Sequence, residues 1–100
     1  MALTKKNKVF ISGKVSGMNY NKAWGKFAFA EYQLSKKGYW IENPMKFCKK
    51  HWSWWRCMFV CFCHLAKCKY MVQLDNWQDS KGAKWEYRWA KWLGVEIITL

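Results

Sequence analysis

Apolar positions along the chain alternate between two periodicities. The run KVFIS, residues 8–12, is short, β-rich and closed by Gly13, which predicts a buried strand. From Tyr20 to Lys37 the period lengthens. Ala23, Phe27, Ala30 and Leu34 recur at i, i+4, i+7 and i+11, one face of a helix, and Gly38 fits the position just beyond its end. YWIE, residues 39–42, predicts a second strand that Asn43-Pro44 terminates, because Pro44 lacks an N–H and biases Asn43 away from helix. Residues 45–51 read as a basic loop. A second helix is predicted from Trp52 to Lys67, with Trp54, Met58, Cys61 and Leu65 on one face. YMVQL, residues 70–74, reads as a third strand, DNWQDSKG as a polar loop, Ala83–Leu93 as a third helix stopped by Gly94, and VEIITL, residues 95–100, as the last strand.

The order is β-α-β-α-β-α-β. Helices long enough for crossovers predict parallel strands joined right-handedly, hence an open α/β sheet of four to five strands with helices on both faces. One domain spanning residues 1–100 is expected, since the chain shows no repeat, linker or low-complexity segment. Open parallel sheets bind ligands at the carboxyl ends of their strands, near the point where strand order reverses. The loops at 12–19, 43–50 and 75–82 and the extreme C-terminus are therefore the first places to look for chemistry.

Composition narrows the function classes. The chain is 52% hydrophobic, which excludes a disordered polymer, and 20% aromatic with nine Trp, more than a small core can absorb. The formal net charge of +12 suits an anionic partner such as a phosphate or nucleic acid, and equally a solvated lysine-rich surface. No stretch approaches the ~20 apolar residues of a membrane span, and the N-terminal apolar run is too short for a secretion signal. No membrane partner and a cytoplasmic location are expected, with the five cysteines reduced.

Four groups of residues carry candidate chemistry. In ISGKVSG, Ser12, Gly13, Lys14, Ser16 and Gly17 follow a strand and precede a helix, where backbone N–H groups can hold a phosphate, although the loop is neither a Walker A nor a dinucleotide fingerprint. Cys57, Cys61, His64 and Cys68 are spaced along one helix and do not form the paired turns of a zinc site, so they read as small buried groups; no metal and no cofactor are expected. Of only six acids, Glu86 shares a helix face with Ala83, Ala90 and Leu93, within about two turns of the helix start. A partly buried carboxylate kept ionised by the helix end and nearby cations suits a nucleophile. Trp85, Trp89 and Trp92 form a second stripe on that helix, best read as packing within the chain or between copies. HWSWWR, residues 51–56, offers rings beside cations for a base or sugar.

VFISGKVSG, GYWIENPMKFC and CKYMVQLDNWQDSKGAKWEYRWAKWLGVEII together resemble a family of small bacterial and phage proteins. These are related to the nucleoside 2-deoxyribosyltransferases and the deoxynucleotide N-glycosidases. The pattern W-x-x-S-x-G-A-x-x-E-x-x-x-A-x-x-x-G is met by Trp77, Ser80, Gly82, Ala83, Glu86, Ala90 and Gly94. The resemblance implies a flavodoxin-like, Rossmann-type sheet and a nucleoside or nucleotide ligand. It also implies a homodimer or higher homo-oligomer. Glu86 would attack the anomeric carbon, with Asp75 as the second catalytic candidate. Ser12 to Gly17 would hold a sugar or phosphate, and Asn43, Asn76, Trp77, Ser80 and Gly82 would complete the ligand site. The chain departs from the family at Phe10, where relatives often carry Tyr, at Lys69, where they carry an acid, and at Asp75-Asn76, where they carry Pro-Gly. A binding protein without turnover is therefore a second reading, and a basic nucleic-acid module a third.

Overall fold

The computed structural model describes residues 8–15, 19–49 and 51–98. Strands β1 (Lys8–Ser12), β2 (Trp40–Glu42), β3 (Tyr70–Gln73) and β4 (Glu96–Ile98) alternate with helices α1 (Tyr20–Lys36), α2 (Pro44–Phe47), α3 (Trp54–Leu65) and α4 (Lys81–Leu93). A single 3-10 turn, Trp77–Asp79, precedes α4. All strand pairs are parallel, in the order β2-β1-β3-β4. The chain thus steps from β1 to β2 on one side and returns past β1 to β3 on the other. The reversal lies between β1 and β3, where Val9 to Ser12 register with Tyr70 to Gln73.

Strand pleat explains the two-sided core. Val9, Ile11 and Val72 point to one face and pack against Ala23, Phe27, Ala30 and Leu34 of α1. Phe10 and Met71 point to the other face and pack against Cys61 and Leu65 of α3 and Ala90 of α4. Both central strands are buried on both faces, as their continuous apolar runs require. On α4 the buried stripe is Gly82, Ala83, Glu86 and Ala90. Its small members let the helix lie close to the sheet.

Helix ends follow local chemistry. Asn19, Asn43, Ser53 and Ser80 each accept a hydrogen bond from a backbone N–H in the first turn of the helix they precede. Gly94 closes α4 in the left-handed conformation, φ 78°, which an L side chain rarely adopts.

Helix α4 starts at Lys81, two residues before the expected Ala83, and three further features differ from the sequence reading. The segment expected to be a basic loop contains α2, because Asn43 caps it and Pro44 sits at its first position with φ already set for helix. Helix α3 starts at Trp54, since Ser53 serves as its cap, with the Arg56 N–H donating to Ser53 Oγ at 3.2 Å. Cys48 and Cys57, expected reduced, are joined as a disulfide. Helix α2 and the first turn of α3 bring their Cα atoms to 5.6 Å, well within bonding reach. Thr99 and Leu100 of the expected last strand lie outside the described residues.

Candidate active site

Glu86 lies on the buried stripe of α4 with 5% of its surface exposed. Ser12, at the carboxyl end of β1, is fully buried and donates from Oγ to Glu86 Oε1 at 2.7 Å. The thiol of Cys61 on α3 is a second hydrogen-bond partner. Three elements thus fix one carboxylate on the α3–α4 face of the sheet, beside the strand-order reversal. Burial pushes the Glu86 carboxyl up to about 7, with the Ser12 and Cys61 hydrogen bonds pulling it part of the way back. The same burial, together with the Glu86 charge, pushes the Cys61 thiol far up. The expected stabilisation by nearby cations is not what holds this group. No lysine or arginine pairs with it among the described residues, because its neighbours come from the apolar side of α3 and from a strand end.

Glu86 lines a cavity of about 310 Å³. Gly13 and Val15 contribute from the loop after β1, Pro44 and Met45 from α2, and Ser80, Gly82 and Ala83 from the start of α4. The opposite wall is built by Lys49, Trp52, Ser53, Trp54 and the cysteines Cys48, Cys57 and Cys61. Trp52 carries the Arg56 guanidinium over its ring at 4.5 Å, and Trp54 carries the Lys81 ammonium at 5.1 Å. The cavity therefore combines one acid at its floor with aromatic faces and cations around it.

The residues singled out from the sequence divide sharply. Ser12, Gly13, Ser80, Gly82 and Glu86 come together. Ser80 also caps α4, accepting from the Ala83 N–H at 3.1 Å. Lys14 and Asn76 meet each other instead: the Lys14 N–H donates to Asn76 Oδ1 at 3.1 Å, so that amide is already engaged. Asn43 is buried and structural; it caps α2 and donates to Glu31 Oε1 at 3.0 Å. Asp75 does not line the cavity. Its exposed carboxylate accepts from Lys26 Nζ at 2.8 Å, and that hydrogen bond holds it below the usual carboxylate range. Trp77 packs on Tyr87 with ring centroids 5.1 Å apart and lines a separate depression with Asp79, Lys84 and Arg88. Ser16 and Gly17 lie outside the described residues.

The Trp stripe of α4 also divides. Trp89 packs edge-on against Phe62 of α3 with centroids 5.0 Å apart, whereas Trp92 is 78% exposed. Two further groups escaped the sequence reading. Cys61 was visible only as a buried helix position, with nothing to show that it meets Glu86. Gln73 registers with Ser12 on the neighbouring strand, and its Nε2 is buried without a hydrogen-bond partner among the described residues. No motif pointed to it.

A family model described as a domain of unknown function, DUF4406, matches residues 7–99. The chain belongs to the DUF4406 family. No curated protein matches it. Among solved structures, this DUF4406 protein is similar to a 2-desoxiribosyltransferase from Leishmania mexicana, with a TM-score of 0.69 and 13% sequence identity. The match covers 94% of this chain and 63% of that one, so the DUF4406 chain spans somewhat less than two thirds of its neighbour's length. At that identity the likeness is one of fold: a parallel α/β sheet of the flavodoxin-like type, as the strand order predicts. No described helix is long and apolar enough to cross a membrane.

Proposed function

We propose that this DUF4406 protein binds a nucleoside or nucleotide in the Glu86 cavity and cleaves or transfers its N-glycosidic bond. One observation carries the reading: a single buried carboxylate, held by the Ser12 hydroxyl at 2.7 Å, forms the floor of a cavity walled by Trp52 and Trp54. The fold shared with a 2-desoxiribosyltransferase supports the same chemistry. A carboxylate oxygen of Glu86 attacks the anomeric carbon and forms an ester to the sugar. The bond to the base breaks, and the base leaves with the electron pair and takes up a proton. Water or a second base then attacks the anomeric carbon and frees Glu86, as in retaining glycosidases. The Ser12 hydroxyl takes over the duty that the Phe10 ring lacks, since the two residues are one pleat apart on the same strand face. The indoles offer flat apolar surfaces for the base.

Glu86→Gln is expected to keep ligand binding within a few-fold and to lower base release by on the order of 10³-fold or more. The measurement is a panel of nucleosides and nucleotides scored both for melting shift and for free base. Base release that survives in Glu86→Gln refutes the nucleophile. A melting shift with no base release from the wild-type protein favours the second reading, a binding protein without turnover, for which the Phe10 departure is the motivating observation. The homo-oligomer belongs to the same proposal. Trp55, Phe59 and Trp92 stand exposed on the outer faces of α3 and α4, where a second copy would cover them.

A further inference from the structure

Three cysteines stand in the cavity wall. Cys48 and Cys57 play no part in the proposed transfer, and Cys61 enters it only as a hydrogen-bond partner of Glu86. Cys57 and Cys61 stand four residues apart on α3, on one helix face, and Cys48 reaches them from the end of α2. Their three sulfurs all lie within 4.8 Å of one another. Cys48 and Cys57 are bonded, and Cys61 is a free buried thiol whose sulfur is 3.8 Å from that of Cys48. A tetrahedral zinc–thiolate centre with Zn–S bonds of about 2.3 Å has sulfur–sulfur edges of roughly 3.8 Å. The Cys48–Cys61 pair therefore already spans one such edge. The Cα atoms of Cys48 and Cys57, 5.6 Å apart, permit the same spacing once their bond is opened and the side chains rotate.

We propose that the reduced protein binds one thiophilic d¹⁰ cation, Zn²⁺, through Cys48, Cys57 and Cys61, and that the Cys48–Cys57 disulfide is the oxidised, metal-free form of this same site. The balance is simple. Two electrons from a thiol or phosphine reductant open the disulfide to two thiols and leave the reductant oxidised. Three Zn–S bonds then form as three thiol protons leave. Three thiolates around Zn²⁺ carry one net negative charge; Lys49 lines the same cavity, and the Glu86 carboxyl lies against Cys61. Three protein ligands leave one tetrahedral position for water or an anion. The remaining thiols and both imidazoles are placed outside this cluster, His51 being exposed. Cys63 is exposed, Cys68 donates to the His64 carbonyl at 3.4 Å, and His64 Nδ1 is engaged with Glu42 Oε1 at 2.7 Å. The run from Cys61 to His64 thus contributes Cys61 alone, and the set is completed by Cys57 of the same helix and Cys48 from the end of α2.

The test uses the full chain, reduced with a phosphine, freed of reductant under anaerobic conditions and titrated with Co²⁺ and then Zn²⁺. The expected result is one Co²⁺ per chain with thiolate-to-cobalt charge-transfer absorption, bleached by one equivalent of Zn²⁺ with release of about three protons. Cys61→Ser and Cys57→Ser each lower Zn²⁺ affinity by at least about 100-fold, and Cys63→Ser leaves it unchanged. The disulfide form takes up no metal. The proposal is overturned if folded, fully reduced protein shows no charge-transfer band, or if Cys61→Ser and Cys57→Ser bind Zn²⁺ as tightly as the wild type.

Discussion

Glu86 carries the energetic tension of the molecule. A carboxyl whose ordinary value is 4.5 and whose folded value is about 7 holds a proton in the folded chain that the unfolded chain has already released. Between those two values the unfolded state binds fewer protons, so stability falls as pH rises through the window. Above about pH 7 the full cost is present, up to roughly 3 kcal/mol for a shift of that size. Glu86→Gln removes the titration. In the disulfide-bonded, metal-free protein, its melting temperature should exceed the wild-type value above pH 7, and the gap should close as pH falls to about 4.5. Paired thermal melts across that range measure it; a constant gap contradicts the burial account. The proposed transfer has the opposite slope, because in it the attacking group must be ionised. Base release should therefore rise with pH to a plateau above about 7. Ser12→Ala deletes a hydrogen bond that stabilises the ionised form, so the rising limb of the pH–rate profile should move to higher pH. The same variant should lose about 1–3 kcal/mol of stability from an unsatisfied buried acceptor. A limb that stays in place would separate Ser12 from the titrating group.

At the scale of elements, the reversal between β1 and β3 decides where the cavity lies. It requires the loop after β1 to pass very close to the residue after β3, with the Leu74 N–H donating to the Ser12 carbonyl at 2.8 Å. A Cβ at Gly13 would meet Leu74 Cδ1 at 2.7 Å and its Cβ at 2.9 Å, so one of the two strand ends must shift to accept any side chain. Gly13→Ala should cost about 1–3 kcal/mol, read as a lower urea midpoint with an unchanged slope. The glycine that looked like part of a phosphate loop is thus first a packing requirement. Helix α2 shows the reverse case. Its four residues carry too short a pattern to reveal a helix by periodicity, yet Asn43-Pro44 is a good helix opening, and the turn it starts carries Cys48 to α3. Missing α2 meant missing the cysteine cluster, whose members come from two elements. Long helices were legible because α1 repeats its apolar face over about three turns.

Across the whole molecule, the chain carries a formal net charge of +12, yet no lysine or arginine among the described residues pairs with Glu86. Lys49 lines the wall, while Lys26 and Lys46 are occupied by Asp75 and Glu31. A field of this sign should speed the arrival of anionic ligands and be screened by salt. Association of a nucleoside monophosphate should slow several-fold between about 20 mM and 300 mM salt, and that of the uncharged nucleoside should hardly change. Stopped-flow binding to the two ligands measures the difference. Equal salt dependence would assign the charge to some other surface role.

The sequence by itself determined the α/β order, the parallel sheet, the three long helices and the small-residue face of α4 that carries Glu86. These follow from local periodicity, capping residues and crossover length, which each segment records on its own. It also singled out Glu86 and Ser12 separately. Only the tertiary structure decided that they touch, since a contact between residues 74 positions apart depends on which strands become neighbours. The same applies to the placement of Asp75 beside Lys26, to the Cys48–Cys57 bond and to Gln73 Nε2, which has no hydrogen-bond partner among the described residues. Each depends on the order β2-β1-β3-β4 and on which face a side chain meets, quantities that no single segment contains.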